Sequence, residues 1–267
     1  MLLRVAVYDC IQEEQLPDIA PGQEAALQNL LVRTPLMHHD IRARTSYPHE
    51  LLRHILLEML ESMPPDFRCQ VYEAAGTIYR RTGNNKKAVE CFFQAGNDEQ
   101  LLSCELVGLL GETFGSIPYT ALARRVLQRC PRETLAQYPL SMLRLCLALF
   151  AGTDVRGFHA ALEESREILA ENGSRQLMGE WYLLSAFREF PDIPRMKACY
   201  QEAAAWMSEP SRLFNRREPY LFGTTSMWYL FYRTPGKMME TAEELRDMLE
   251  VYNPLTGNHG AGAYELY

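Results

Sequence analysis

Residues 72–95 read YEAAGTIYRRTGNNKKAVECFFQA, and this stretch decides the fold of the chain. Its small residues Gly76 and Ala88 allow two antiparallel helices to approach closely. The aromatic side chains of Tyr79 and Phe92 then fill the space between this helix pair and its neighbour. A glycine between the two helical patterns supplies the turn, because glycine adopts a positive φ at little cost. The stretch therefore predicts a hairpin of two packed helices.

The order of these residues matches the tetratricopeptide pattern, which has aromatic and small residues at fixed offsets. The matching positions are Tyr72, Gly76, Tyr79, Ala88, Phe92 and Ala95. The pattern usually has leucine where Ala75 stands and proline where Gln100 stands. A single repeat cannot bury its own apolar face, so neighbouring hairpins must stack on it. We expect weaker repeats around Met142 and Trp181.

From about Asp66 onward the whole chain has a helical period, and no segment has the pattern of a buried strand. Short breaks are predicted at Gly83-Asn84, Gly96-Asn97, Pro131, Gly152-Thr153, Asn172-Gly173, Pro191-Asp192, Pro210, Pro235-Gly236 and Pro254. Many helices joined by short turns favour antiparallel hairpins. We therefore expect residues 63–267 to form a right-handed, tetratricopeptide-like solenoid of helical hairpins.

Residues 1–62 have a mixed pattern. Residues 23–32 (QEAALQNLLV) predict a helix, and residues 36–47 (LMHHDIRARTSY) predict a short, partly exposed β-hairpin. Residues 50–63 (ELLRHILLEMLESM) predict a strongly amphipathic helix. Helix, hairpin and helix outline a small winged-helix-like α+β module over residues 1–62. The expected fold class is thus mostly α, with this module in front of the solenoid.

The composition excludes several classes of protein. The chain has 267 residues, 47% of them apolar and 23% charged, which is typical of a globular protein and not of a disordered or collagen-like one. Its net charge of -7 argues against a dedicated nucleic-acid binder, which would carry a basic stripe. No stretch reaches the length of a membrane-spanning helix, and the N-terminus lacks the features of a secretory signal. We expect a cytoplasmic protein that makes no membrane contact.

The cysteines point to the same compartment. The seven cysteines are Cys10, Cys69, Cys91, Cys104, Cys130, Cys146 and Cys199. Their number is odd, their spacing is wide, and no C-x-x-C occurs. We therefore expect reduced thiols packed as small hydrophobic side chains.

Two parts of the chain resemble one known family. Residues 47–52 (YPHELL) and residues 72–97 are similar to the middle of MalT-type LuxR-family transcriptional regulators, although Asn97 stands where the family usually has aspartate. In that family a histidine-bearing segment ends a winged helix and a first repeat follows. Residues 210–236 (PSRLFNRREPYLFGTTSMWYLFYRTPG) and 256–263 (TGNHGAGA) resemble a subgroup found in anaerobic Gram-positive bacteria.

The resemblance implies a place in a larger protein. Members of the family are signal-transduction ATPases with a nucleotide-binding domain, a winged helix, a helical sensor and a C-terminal helix-turn-helix. This chain resembles only the winged helix and the sensor, and it contains no G-x-x-x-x-G-K-[ST] motif. We therefore expect no cofactor here, ATP only in a missing N-terminal domain, and DNA contact only through a missing C-terminal domain. Expected partners are a small-molecule inducer or a regulatory protein, and the resemblance also allows self-association.

Cations and aromatic residues lie together near the second resemblance. The predicted ligand- or partner-binding residues are Arg212, Arg216, Arg217, Tyr220, Trp228, Tyr232, Arg233 and His259. Arginine suits carboxylates or phosphates, and aromatic faces suit sugar rings or peptide side chains. In the alternative interpretation, the aromatic residues fill grooves between repeats and the arginines pair with carbonyls or glutamates. Likewise, residues 256–263 form either an anion-binding loop or a tightly packed helix start.

Metal and catalytic chemistry have little support in the sequence. His38 and His39 are adjacent in a predicted strand, so they point to opposite faces and converge poorly on one ion. His49 and His54 are five residues apart, with no cysteine or carboxylate cluster to complete a zinc site. No nucleophile motif occurs. We expect no metal site and no enzymatic activity.

The sequence therefore predicts the sensor region of a MalT-like regulator. The alternative is a stand-alone repeat adaptor that binds other proteins. A sensor should have a closed pocket with a few convergent polar groups, whereas an adaptor should have an open groove. A third hypothesis is DNA binding by residues 1–62, for which the candidate residues are Arg33, Arg42, Arg44 and Arg53.

Overall fold

The computed structural model describes residues 1–214 and 230–261, apart from the side chain of Asn172. Its secondary structure is mostly helical with only small antiparallel sheets, which confirms the predicted mostly α fold class. The chain divides into two compact units, Met1–Cys104 and Glu105–Tyr267, which are described separately. The arrangement of the hairpins as a solenoid stays a prediction.

The first unit combines a small sheet with helices. Its elements are β1 (Ile11–Gln12), α1 (Leu16–Ile19), α2 (Glu24–Arg33), β2 (Met37–Asp40), β3 (Thr45–Pro48), α3 (Glu50–Glu61), α4 (Pro65–Arg81), α5 (Asn85–Ala95) and α6 (Asp98–Leu102), with 3-10 turns at Leu2–Val5 and Glu13–Gln15. The sheet order is β1-β3-β2, and both pairs are antiparallel. The predicted hairpin and the two helices on either side of it are confirmed.

Side-chain caps explain where several of these helices begin. His49 Nδ1 accepts the N–H of Leu51 at 3.2 Å and caps α3. Asn97 Oδ1 accepts the N–H of Gln100 at 3.1 Å and caps α6. Asparagine and aspartate are both strong N-cap residues. Asn97 can therefore do the capping that the aspartate of the MalT-type pattern would do.

The α4–α5 hairpin is closed by one tight contact. A Cβ atom on Gly76 would lie 2.6 Å from Phe92 Cε1, so only glycine allows this helix approach. Ala88 and Phe92 are fully buried in the same unit, and Ala95 is half-buried at the end of α5. The Tyr72 hydroxyl donates to Glu61 Oε1 at 3.0 Å. The close approach that the small residues predict is confirmed.

Residues 7–9 join this hairpin to the preceding module. The Tyr79 hydroxyl donates to the carbonyl of Val7 at 3.1 Å and accepts the N–H of Asp9 at 3.3 Å. The Asp9 carboxylate lies 2.7 Å from Arg53 Nη1 of α3 and 3.6 Å from Lys87 Nζ of α5. The module and the hairpin thus lie in one compact unit. A functional boundary after residue 62 stays a prediction.

The second unit is built from long helices that follow one another. Its elements are β4 (Thr113–Phe114), β5 (Ile117–Pro118), α7 (Tyr119–Arg129), α8 (Arg132–Gln137), α9 (Pro139–Ala151), α10 (Val155–Asn172), α11 (Arg175–Ser185), α12 (Ile193–Trp206) and α13 (Met238–Leu255), with a 3-10 turn at Ala186–Glu189. Helix α9 contacts α10, α10 contacts α11, and α11 contacts α12. Helix α12 contacts α13. Such sequential packing is what a hairpin array requires.

Two predictions for this part of the chain are wrong. The antiparallel pair β4–β5 lies where only helices were expected. Its two-residue strands are too short to show a strand period, and the turn depends on Gly115 with φ 59°. Helix α13 continues through Pro254 to Leu255 instead of breaking there. This proline stands in the last turn, so the hydrogen bond that it removes lies at the end of the helix.

A helix that spans a bilayer needs about 20 consecutive, mostly apolar residues. Within residues 1–214 and 230–261, no helix combines the length and the apolar character needed to cross a membrane. This agrees with the sequence, in which no long apolar stretch occurs.

Replacing Gly76 with alanine should destabilise the first unit by about 1–3 kcal/mol, because the added methyl group overlaps the Phe92 ring. Urea unfolding followed by far-UV circular dichroism measures this effect. All three tryptophans follow residue 104, so their fluorescence reports the second unit in the same titration.

The exposed Thr77 on the same helix supplies the control, and Thr77→Ala should change stability by less than about 0.5 kcal/mol. A Gly76→Ala, Phe92→Leu double variant should recover part of the loss. An unchanged circular dichroism midpoint for Gly76→Ala would contradict the close approach.

Candidate ligand- or partner-binding region

The predicted binding residues divide into two groups. Arg216, Arg217, Tyr220 and Trp228 lie outside the described residues. Of the others, Arg212 and Arg233 are exposed, Tyr232 is half-buried and His259 is buried. These four residues, Arg212, Tyr232, Arg233 and His259, lie in different local surroundings.

Arg212 belongs to a short segment, residues 211–214, that is held by its main chain. The N–H of Arg212 donates to Glu180 Oε1 at 2.6 Å, and the Ser211 hydroxyl donates to Glu180 Oε2 at 2.5 Å. The Ser211 N–H donates to the carbonyl of Leu255 at 2.7 Å. The segment is thus tied to α11 and to the end of α13, while the Arg212 side chain faces solvent.

Glu180 is a fully buried carboxylate that the sequence reasoning missed. Burial raises the pKa of its carboxyl above the usual range, although hydrogen bonds from Ser211 and Arg212 and the nearby Arg144 act in the opposite direction. Arg144 is itself buried, and its Nη2 donates to the carbonyl of Arg212 at 3.4 Å. Glu180 precedes Leu183 and Leu184 by three and four residues on the buried face of α11, but a glutamate in such a run is ordinarily exposed, so the sequence carries no signal for its burial.

Two buried phenylalanines flank residues 215–229, where the other predicted binding residues lie. The Phe214 ring stacks on Phe187 with centroids 5.6 Å apart, and the Phe231 ring meets Phe190 edge-on at 5.3 Å. Phe150 contacts both Phe187 and Phe190, at 5.0 and 6.5 Å. One aromatic cluster therefore anchors the chain on both sides of residues 215–229, the predicted recognition segment.

His259 lies against the end of α13. Its Nδ1 is 2.8 Å from the Tyr252 hydroxyl, and its ring centroid is 5.7 Å from that of Phe214. Asn253 accepts two N–H groups of the following turn, from Asn258 at 2.8 Å and from Gly260 at 3.1 Å. These donors are used inside the protein, which favours the packing interpretation for residues 256–261. A ligand-binding role of His259 stays a prediction.

Tyr232 and Arg233 follow Phe231 at the surface. The Tyr232 hydroxyl accepts the N–H of Gly236 at 2.9 Å and closes the turn before α13. The Arg233 side chain is exposed. Tyr232 therefore has a structural role, whereas Arg233 presents its charge to solvent.

The histidines singled out in the sequence lie on the first unit. His38 and His39 are exposed on β2, and His39 Nδ1 is 2.9 Å from the Ser46 hydroxyl. His54 Nε2 is 3.3 Å from Glu58 Oε1. Over residues 1–214 and 230–261, no group of three or more histidine, cysteine or acidic side chains is arranged to hold a metal ion.

None of the seven cysteines takes part in a disulfide bond, and four of them are buried. Burial raises the pKa of the Cys91 thiol to about 12 and that of the Cys104 thiol to about 11. These thiols stay protonated near neutral pH and act as small hydrophobic groups.

The first unit has a small cleft between α2 and the β2–β3 hairpin, which the sequence reasoning missed. Its volume is about 260 Å³, and Ile11, Leu16 and Leu31 contribute apolar surface. Glu13 and Arg44 also line the cleft, with Arg44 Nε 3.7 Å from Glu13 Oε2. The volume is below the range of about 300–1,000 Å³ that is usual for ligand pockets.

Two of the four arginines proposed for DNA binding have acidic neighbours. Arg44 lies beside Glu13, and Arg53 Nη1 is 2.7 Å from Asp9 Oδ1. Arg33 and Arg42 are exposed. The acidic neighbours reduce the positive potential that phosphate binding requires.

Comparisons with known proteins give no relative for this chain. No family model matches it, and neither does any curated protein or any solved structure. The resemblance to MalT-type regulators accordingly stays a prediction.

Glu180→Ala should destabilise the second unit by about 2–4 kcal/mol, because the Ser211 hydroxyl and the Arg212 N–H lose their buried acceptor. Urea unfolding followed by tryptophan fluorescence measures the loss, since Trp181 is adjacent and buried. Glu202→Ala, on the exposed side of α12, should change stability by less than about 0.5 kcal/mol. Equal effects of the two variants would show that Glu180 has no anchoring role.

The stability difference between wild type and Glu180→Ala should also depend on pH. A carboxyl group with a raised folded-state pKa stabilises most below its unfolded pKa, and this contribution is lost as pH rises through the folded pKa. The difference should therefore grow as the pH falls from 8 to about 5. The Glu202→Ala difference should stay flat, and a Glu180→Ala difference that shrinks on acidification would contradict the raised pKa.

Proposed function

We propose that this chain is the sensor and regulatory region of a MalT-like LuxR-family transcriptional regulator in the cytoplasm. It binds an inducer or a regulatory protein. It then relays that binding to an ATPase domain and a helix-turn-helix domain that lie outside the chain. No bond is made or broken in this process, and the expected partners are not nucleic acid or membrane.

One observation carries this proposal, namely the order of elements in the first unit. A strand, two helices and a hairpin give a sheet in which β1 lies beside β3, the last strand. This is the strand order of a winged helix, and helix α3 and then the tetratricopeptide-like α4–α5 hairpin follow it in the chain. The same succession, a winged helix and then a first repeat, is what residues 47–97 resemble in MalT-type regulators.

The second unit offers a way to relay binding. Residues 211–214 contact both α11 and α13 through Glu180 and Leu255, and they lead into the predicted recognition segment. A ligand that engages this segment shifts a conformational equilibrium only by its difference in affinity for the two states. A displacement of Ser211 would change contacts on two helices at once. The anchored segment therefore supports a sensor whose binding site and helical frame are coupled.

The repeat adaptor remains the second candidate, and one observation favours it. Two clefts of the first unit, one of about 260 Å³ beside α2 and one of about 480 Å³ along α3 at Leu51 and His54, both lie open at the surface, whereas a small-molecule sensor should enclose its ligand. An adaptor would instead use exposed helix faces to bind other proteins.

A thermal-shift screen of the purified chain against oligosaccharides, amino acids, organic acids and nucleotides tests the sensor proposal. A ligand at 100 times its dissociation constant adds about 2.7 kcal/mol, which should raise the midpoint by several degrees. Arg212→Ala and Arg216→Ala should each remove this shift if the predicted recognition segment binds the ligand.

Arg195→Ala is the matched control, because Arg195 is an exposed arginine of the same unit outside the predicted segment. It should leave the shift unchanged. No shift from any compound class, with a folded protein, would reject the small-molecule sensor and favour the adaptor.

A further inference from the structure

Exposed apolar side chains are concentrated in one part of the first unit. In the described chain, seven of the twelve large hydrophobic residues with high exposure lie between residues 32 and 59. They are Val32, Leu36, Ile41, Tyr47, Leu51, Ile55 and Met59. Single exposed hydrophobic residues are normal, but a concentration of them marks an interaction surface.

Three of these residues lie on helix α3. Leu51, Ile55 and Met59 are four residues apart, so they form one stripe along the helix. Their exposures are 55%, 42% and 51%, whereas Leu56 and Leu60, about a third of a turn further round the helix, are 4% and 0% exposed. The helix thus has two apolar faces, of which the unit buries only one.

The edge of the stripe carries one basic and one acidic group. His54 and Glu58 are one turn apart, and His54 Nε2 lies 3.3 Å from Glu58 Oε1. An edge with charges of one sign would indicate a partner of the opposite sign. This edge instead complements the same edge of a second, antiparallel copy. In that arrangement His54 of each copy lies beside Glu58 of the other.

We propose that this face binds a second copy of the chain through an antiparallel α3–α3 pair with two-fold symmetry. With the axis near Ile55, the two Ile55 side chains meet at the centre and Leu51 of each copy packs against Met59 of the other. The edge residues His54 and Glu58 then make their contacts between copies. A two-fold interface requires such self-complementarity, and this helix has it in both its apolar stripe and its polar edge.

The hairpin extends the surface at the start of α3. The carbonyl of Leu36 accepts the N–H of His49 at 2.7 Å, which places Leu36 beside the first turn of the helix. Even so, a few half-exposed side chains bury less than the roughly 800 Å² per partner of a standard interface. The pair is therefore a weak, concentration-dependent dimer with micromolar affinity.

Sedimentation velocity of the full chain from about 1 to 100 µM tests this proposal. The wild-type protein should shift from monomer to dimer over this range, and Ile55→Glu should stay monomeric with an unchanged thermal midpoint. Val155→Glu is the matched control, because Val155 is 52% exposed on a different helix, and it should dimerise as wild type does. A monomeric wild type at all concentrations, or an Ile55→Glu dimer, overturns the proposal.

Cysteine cross-linking tests the geometry independently. Under mild oxidation Ile55→Cys should form covalent dimers well above the background from the native cysteines of wild type, whereas Val155→Cys should not. A mixture of Leu51→Cys and Met59→Cys should cross-link more than either variant alone, because the helices are antiparallel. Equal yields in the mixture and in the separate variants would reject the antiparallel arrangement. Neither result depends on whether the chain binds an inducer.

Discussion

The Tyr79 side chain holds the first unit together. Its ring stacks on Tyr8 with centroids 5.7 Å apart, and its hydroxyl both donates to and accepts from the main chain of residues 7–9. Asp9, fixed in this way, then reaches Arg53 on α3 and Lys87 on α5. A residue that belongs to the packing pattern of one repeat thus also joins the sheet-containing module to that repeat. Through Tyr79 and Asp9, polar contacts connect α3, α4 and α5.

The sequence predicts well those parts of the fold that are fixed by the size and local pattern of the side chains. The approach of α4 and α5 is visible in the residues alone, because only glycine fits at position 76 against the Phe92 ring. The hairpin at residues 36–47 is visible because its apolar residues interleave with polar ones between two prolines. In both cases the local pattern leaves the chain few alternatives. The pair β4–β5 has no such pattern, since its strands have two residues each.

Which side of a helix is covered, and by what, cannot be predicted from periodicity alone. Helix α3 has apolar residues on more than half of its circumference, so its sequence predicts an amphipathic helix without showing that Leu51, Ile55 and Met59 stay exposed. The same limit applies to Glu180. A glutamate in an apolar run usually points to solvent. Its burial depends on donors supplied by Ser211 and Arg212, about thirty residues later in the chain.

These two features lie in different units, and they differ in the free energy needed to disturb them. A buried carboxylate that holds residues 211–214 is costly to displace, because the uncovered donors and the buried charge lose their partners together. An exposed helix stripe is easily covered, because covering it removes apolar surface from water. In the proposed regulatory region, the frame would change state only when a ligand supplies the free energy, and the proposed dimer surface would respond to protein concentration. That frame is in the second unit, and that surface is on helix α3.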